Sequence, residues 1–200
     1  MVDIKLKNGK PNILLLTFPR TGQHLLRSIL QSADIELDWT HNIDLPQFIW
    51  KADEARPFFD GSQTLITLVR DPIDTITSAL VYDMYQNNYT LKNIKMFSGV
   101  IVDDYVVFWK YLLENCKIFI DYDDLINNRD KTVDHLFNLL NIKKERDFGN
   151  IIQAYEPNHM VSSKDNHLYD KVRSEVLAMN LNKCYDIYQE CKNKTIKVDK

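Results

Sequence analysis

The chain is 200 residues long, with 44% hydrophobic and 26% charged residues and a formal net charge of −3. These values suit one core-forming soluble domain and exclude global disorder. The mildly acidic balance argues against a protein that coats nucleic acid or an anionic membrane, while leaving room for a local basic pocket.

The N-terminus is polar and Lys-rich, without the apolar stretch of a secretory leader, and no run is long enough to span a bilayer. Cys116, Cys184 and Cys191 are an odd number without CxxC spacing. They read as reduced thiols of a cytoplasmic protein, and neither a disulfide framework nor a metal site is expected.

Met1–Asn12 reads as a frayed lead-in. Ile13–Leu16 predicts a short strand buried on both faces. Phe18-Pro19-Arg20-Thr21-Gly22 turns the chain, and Leu25, Leu26, Ile29, Leu30 and Ala33 then recur at helical spacing. A strand, a tight turn and a helix in this order aim unpaired N–H groups and the positive end of the helix dipole at an anion. Gly22 permits close backbone approach, Thr21 offers a hydroxyl, and the Arg20 fork suits phosphate or sulfate. The alternative is an ordinary turn whose Arg is merely solvated.

Ile35–Trp39 alternates apolar with acidic residues and predicts a short strand leading to Thr40-His41. Leu45–Ala55 is a weak helical pattern, and Arg56-Pro57 and Asp60-Gly61-Ser62 mark a loop. Thr64–Val69 is a second strand ending in Arg70-Asp71-Pro72, with Asp71 placed to cap the next helix and Pro72 to occupy its first turn. That helix carries Ile73, Ile76, Leu80 and Met84 on its buried stripe. Asn87–Ser98 is less regular, and Val102–Glu114 is an aromatic-rich helix. Lys117–Ile120 is a third strand, followed at once by Asp121-Tyr122-Asp123-Asp124-Leu125. Asp130 is expected to cap a helix bearing Val133, Leu136, Phe137 and Leu140. A short helix is expected over Lys144–Tyr155, broken by Pro157. Leu168–Glu190 reads as helical with an interruption near Asn180–Asn182, and the tail after Cys191 is expected to be mobile.

Strands separated by helices, without repeats or linkers, imply a single α/β domain over residues 1–200 with its core at about 12–190. The sheet is expected to be parallel, with helices on both faces. Ligands of such sheets bind beyond the carboxyl ends of the strands, where Arg20, Arg70 and Tyr122 all fall. Ser78 lies about two helical turns beyond Arg70, so the pair could grip one anion from two sides. The competing reading is a surface ion pair of Arg70 with Asp71 or Asp74.

Taken together, Phe18–Gly22, Arg70-Asp71-Pro72 with Ser78, and Tyr122-Asp123-Asp124-Leu125 resemble the sulfotransferases that use 3′-phosphoadenosine 5′-phosphosulfate (PAPS). The resemblance covers roughly Asn12–Leu140 and implies a P-loop NTPase-like sulfotransferase fold. It implies that the first turn, Arg20 to His24, binds the 5′-phosphosulfate, that Arg70 and Ser78 bind the 3′-phosphate, and that Tyr122 lies near the adenine. The soluble members usually carry Lys where this chain has Arg20, whereas carbohydrate and tyrosyl-protein members often carry Arg. Gln23 and His24 replace small hydroxyl residues. The Gly-rich, Trp-containing C-terminal loop of the soluble members is missing, and Ser162 and Ser163 resemble the Ser-containing segment that other branches use instead.

The activity implied is transfer of a sulfuryl group from PAPS to a hydroxyl or amine of a small molecule or carbohydrate, leaving 3′,5′-bisphosphoadenosine. Such a transfer needs a group to take the acceptor's proton and a cation to meet charge on the leaving phosphate. Thr40-His41 resembles the pair that carries the catalytic His of soluble sulfotransferases, with Glu36 or Asp38 as substitutes; Arg20 is the expected cation. The rivals are a nucleotide or small-molecule kinase, for which no Lys-Ser/Thr pair follows Gly22, and a non-catalytic nucleotide-binding protein on the same fold.

Overall fold

A computed structural model describes residues 3–33, 35, 37–41, 43, 59–87, 91–142 and 166–196, excepting the side chains of 85–87, 92–98 and 166. An N-terminal hairpin pairs β1 (Leu6–Lys7) with β2 (Lys10–Pro11). The core follows as β3 (Ile13–Leu16), α1 (Gln23–Ser32), β4 (Leu37–Thr40), β5 (Thr64–Val69), α2 (Pro72–Asn87), α3 (Leu91–Asn115) and β6 (Ile118–Asp121). The remaining helices are α4 (Tyr122–Asn127), α5 (Arg129–Leu139), α6 (Asn166–Leu177) and α7 (Asn182–Lys194).

The fold is α/β: β3 to β6 form a parallel sheet in the order β4-β3-β5-β6. Alternation along each strand divides the core in two. Ile13 and Leu15 of β3, Ile66 and Leu68 of β5, and Ile118 and Ile120 of β6 pack with Leu26, Ile29 and Leu30 of α1 and with Val133 and Phe137 of α5. Leu14, Leu16, Leu65 and Phe119 face the other way, against Ile76 and Leu80 of α2, Phe108 and Trp109 of α3, Val172 of α6 and Ile187 of α7. Every residue of β3, β5 and β6 is buried, as strands covered on both faces must be. The three thiols lie inside this packing, and burial pushes each up to about 12.

Several expectations are corrected. The lead-in is not frayed: Asn8-Gly9 forms a two-residue turn with φ of 52° and 76°, the pairing that hairpin turns favour. Lys5 N–H donates to Thr64 Oγ1 at 2.8 Å, which ties the hairpin to the start of β5. Of the stretch read as less regular, Asn87 ends α2 and the backbone from Leu91 onward is regular helix in α3. Asn128, not Asp130, occupies the cap position of α5, and Asp130 lies in its first turn, where a negative charge meets the positive end of the dipole. The tail after Cys191 stays helical to Lys194. Thr195 then pairs with Phe119, Ile196 N–H donates to Phe119 O at 2.8 Å, and Lys194 reaches Leu113 O, so the segment is anchored through Ile196. The α6–α7 break falls where expected. The patterns at Leu45–Ala55 and Lys144–Tyr155 lie outside the described residues.

Asp71 behaves as predicted. Its Oδ1 accepts from the N–H groups of Ile73 at 2.8 Å and Asp74 at 3.2 Å, and Pro72 opens α2. Tyr185 of α7 donates to Asp71 Oδ2 at 3.2 Å, so the same carboxylate also fixes a second helix.

Asp83 of α2 supplies a test of packing. Burial pushes its carboxyl up from 3.8 to about 6. The folded chain holds that proton more tightly than the unfolded one, so the associated stability is present below 3.8 and is lost as pH rises through about 6. Asp83→Asn should flatten this part of the profile. Urea midpoints for both proteins at steps from pH 4 to 7 check it, and parallel slopes would exclude the effect.

Candidate functional site

The chain leaves β3 toward β4 on one side and resumes at β5 on the other. This reversal makes the carboxyl ends of β3 and β5 the switch point of the sheet, the place where open parallel sheets bind ligands. Thr17–Gly22, Arg70 and Tyr122 leave β3, β5 and β6 respectively into that region.

The turn after β3 is set by two residues of positive φ, Arg20 at 69° and Gly22 at 99°. The Thr21 hydroxyl donates to Phe18 O at 2.9 Å, and its N–H points to the same carbonyl at 3.4 Å. Thr21 therefore closes the turn with the hydroxyl that the sequence offered to a ligand. Phe18 anchors it from below, edge-on to Tyr105 at 5.2 Å and Phe108 at 5.5 Å. Helix α1 begins directly afterward, and the N–H groups at Gln23 and His24 belong to its first turn, where no intrahelical acceptor exists.

Both guanidinium groups gather over this turn. Arg70 Nη1 donates to Arg20 O at 3.1 Å, and its guanidinium stacks 4.6 Å from the Tyr122 ring centroid. The Tyr122 ring in turn packs on Gly22 so closely that a Cβ at residue 22 would lie 2.4 Å from it. Arg20 Nε donates to Ser78 Oγ at 3.4 Å, and the Arg20 guanidinium lies 5.0 Å from the centroid of the Tyr82 ring. Ser78 thus meets Arg20, not Arg70. The ion pairs weighed for Arg70 have other uses: Asp71 caps α2 and takes Tyr185, while Asp74 lies 3.8 Å from Arg173 Nε.

His41 joins the site one residue beyond β4. Thr17 N–H donates to Thr40 O at 3.3 Å, extending the pairing of β3 and β4 past both strands and holding His41 beside the turn. His41 Nδ1 lies 2.6 Å from Thr17 O, and Nε2 lies 2.9 Å from Gln23 Nε2. Gln23 Oε1 accepts from the Thr17 hydroxyl at 2.9 Å. All three residues are buried. The Gln23 side chain therefore turns inward, leaving its main-chain N–H at the turn. His24 is exposed on α1, its ring 6.0 Å from that of Trp39. Asp38 is exposed on β4, alternating away from Trp39. Glu36, Ser162 and Ser163 lie outside the described residues.

Charge around the β6 exit is ordered by an ion pair between Asp121, which also caps α4 by accepting from Asp123 N–H, and Lys192 of α7. Burial works against the Lys192 charge, but the hydrogen bond and charge of Asp121 outweigh it and hold the ammonium above its ordinary value. Burial, then the neighbouring Asp121 charge, raises the Asp123 carboxyl. Two contributors escape the sequence reading. Thr17 carries no signal beyond its place at a strand end, whereas Tyr82 follows Ser78 by four residues and so shares its helix face.

Among the described residues no cluster of His, Cys, Asp and Glu has a metal-holding arrangement, and no helix is long and apolar enough to cross a membrane. The family profile described as the sulfotransferase domain matches residues 54–176. The span includes Arg70, Ser78, Tyr122 and the Ser162-Ser163 segment, and begins beyond the Arg20 turn and His41. Comparison with curated proteins finds no match.

The contact between Gly22 and Tyr122 can be measured. Gly22→Ala imposes a left-handed φ on a residue with a Cβ and drives that Cβ into the ring, so a loss of about 1–3 kcal/mol is expected. Tyr122→Ala should relieve the steric share but not the backbone share. A double-mutant cycle by urea unfolding should therefore show coupling between the two positions, and strict additivity would place the ring elsewhere.

Proposed function

Because the chain belongs to the sulfotransferase-domain family, we propose that it moves a sulfuryl group from PAPS to a hydroxyl or amine of a small molecule or carbohydrate, by in-line displacement at the switch point beyond β3 and β5. The observation that carries this reading is the convergence of Arg20, Arg70 and Ser78 on one turn at the start of a helix, through Arg70 to Arg20 O and Arg20 to Ser78. An anion suits that turn: two residues of positive φ shape it, main-chain N–H groups of α1 face it, and two permanent cations flank it.

The phosphosulfate end belongs over Gly22, Gln23 and His24, and the 3′-phosphate end beside Arg70 and Ser78, with Tyr122 and the Ser162-Ser163 segment completing the donor site. PAPS supplies the sulfuryl group and leaves as 3′,5′-bisphosphoadenosine, the S–O bond to the 5′-phosphate breaking as the S–O bond to the acceptor forms. Arg20 neutralises the negative charge that gathers on the departing phosphate oxygen. His41 receives the acceptor's proton on Nε2, while Nδ1 keeps its proton for Thr17 O. The exposed face of Tyr82, beside Arg20, offers an aromatic wall to the acceptor.

Two measurements test the reading. Thermal unfolding should shift upward with 3′,5′-bisphosphoadenosine and not with ATP–Mg²⁺, because only a ligand held by the folded state stabilises it; the reverse pattern would favour a kinase. With labelled PAPS and a panel of sugars, phenols and amines, Arg20→Ala should lower turnover by about 10²-fold or more. Unchanged turnover at donor saturation would remove Arg20 from the mechanism.

A further inference from the structure

We propose that Tyr122 is a positioning residue: its ring holds the Arg70 guanidinium in place without neutralising it, so that the cation meets the 3′-phosphate of the donor with its charge and most of its N–H groups intact. The inference deepens the sulfotransferase reading and rests on it for the identity of the anion, though not for the placement of the cation. It starts from the ways in which an arginine at a strand exit can be fixed. A carboxylate would fix Arg70, but it would also occupy the in-plane N–H groups and cancel the charge that an anionic ligand needs. An aromatic face holds a guanidinium from one side and occupies none of them.

The second arrangement is the one found. The Arg70 guanidinium lies 4.6 Å from the centroid of the Tyr122 ring, and Nη1 donates to Arg20 O at 3.1 Å. Among the described residues no carboxylate pairs with it. Asp71 accepts from Ile73, Asp74 and Tyr185, Asp74 faces Arg173, and Asp121 pairs with Lys192. Asp123 is near enough to feel the Arg70 charge: burial and Asp121 push its carboxyl up, while Lys192 and Arg70 work against that rise. No ion pair joins Asp123 to Arg70.

The ring must itself be held, and two constraints hold it. Its backbone opens α4 directly after Asp121, whose Oδ1 accepts from Asp123 N–H at 3.0 Å and whose Oδ2 pairs with Lys192. Its edge, Cδ2 and Cε2, packs on Gly22, where a Cβ would have no room. Arg70 is thus caught between two parts of one turn. The carbonyl of Arg20 takes one N–H, and the backbone at Gly22 backs the ring that supports the face of the guanidinium. The remaining N–H groups are therefore aimed before a ligand arrives, which lowers the ordering cost of binding. This role belongs to the ring and not to the hydroxyl, and it separates Tyr122 from a residue that stacks on the adenine or bonds to it.

Calorimetric titration with 3′,5′-bisphosphoadenosine and with adenosine 5′-phosphate tests the proposal, because only the first carries the phosphate assigned to Arg70. Tyr122→Leu should cut the preference for the bisphosphate by about 10-fold, and Tyr122→Phe, which restores the ring, should recover it. Equal losses for both nucleotides in Tyr122→Leu would overturn the proposal in favour of a contact with the base. Loss of the preference in Tyr122→Phe would overturn it in favour of the hydroxyl. A measurement without ligand covers a Tyr122→Leu chain that fails to fold. The ring current of Tyr122 should displace the Nε–H signal of Arg70, assigned with Arg70→Lys, upfield in the NMR spectrum of the native protein. The displacement should persist in Tyr122→Phe, and an Arg70 signal at the ordinary arginine position would overturn the placement. A native chain with the displaced signal that binds neither nucleotide would uphold the placement and overturn the donor reading, which separates the two ideas.

Discussion

The hydrogen bond from Arg70 to the carbonyl of Arg20 joins the exits of two adjacent strands, and the rest of the site is arranged around it. Holding Arg20 in the left-handed region costs about 1–2 kcal/mol. A charged donor on a part-buried carbonyl returns roughly 1.5–3 kcal/mol. The second figure covers the first, so the turn can hold a conformation that its own residue would avoid. The geometry that results points the first N–H groups of α1 outward and sets the Arg20 side chain toward α2, where Ser78 and Tyr82 receive it. The register of β3 with β5, Ile13 opposite Thr64 and Leu15 opposite Ile66, brings the two arginines within reach of each other.

Three acidic residues around this cation pair are kept occupied. Asp71 caps α2 and receives Tyr185, Asp74 faces Arg173, and Asp121 caps α4 and pairs with Lys192. The partners Arg173, Tyr185 and Lys192 all come from the two C-terminal helices. Those helices therefore do more than cover one face of the sheet: they draw carboxylates away from the turn. An overall charge of −3 is thus compatible with a locally cationic switch point.

The α/β architecture was legible because β3 is an uninterrupted apolar run, β5 and β6 are predominantly apolar, and the intervening helices carry regular stripes, signals that survive without tertiary information. The turn of Arg20 to Gly22 was legible for the same local reason. Asn8-Gly9 was an equally local signal, a hairpin dipeptide passed over because the polar residues around it suggested a loose end. Side-chain direction was harder to read. Thr21 and Gln23 stand in a turn where hydroxyl and amide groups could all face outward, yet Thr21 bonds Phe18 and Gln23 bonds Thr17 and His41. What decides this is the pairing of β3 with β4, continued past both strands by Thr17 and Thr40, which sets His41 beside the turn, a three-dimensional fact with no counterpart in sequence spacing. The partner of Ser78 was missed likewise, since the helix spacing linked it to Arg70 while the turn delivered Arg20.

The sequestered sulfurs have a practical corollary. Alkylating and dye-coupling chemistry runs through the thiolate, and Cys116, Cys184 and Cys191 all lie in the core with that form strongly disfavoured. The native chain is consequently a silent background for site-directed labelling. A fluorophore attached through a cysteine introduced at exposed Leu6, on the hairpin remote from the arginine turn, would report tumbling of the whole particle. The same attachment at His24 would sit beside the arginine turn and report its occupancy.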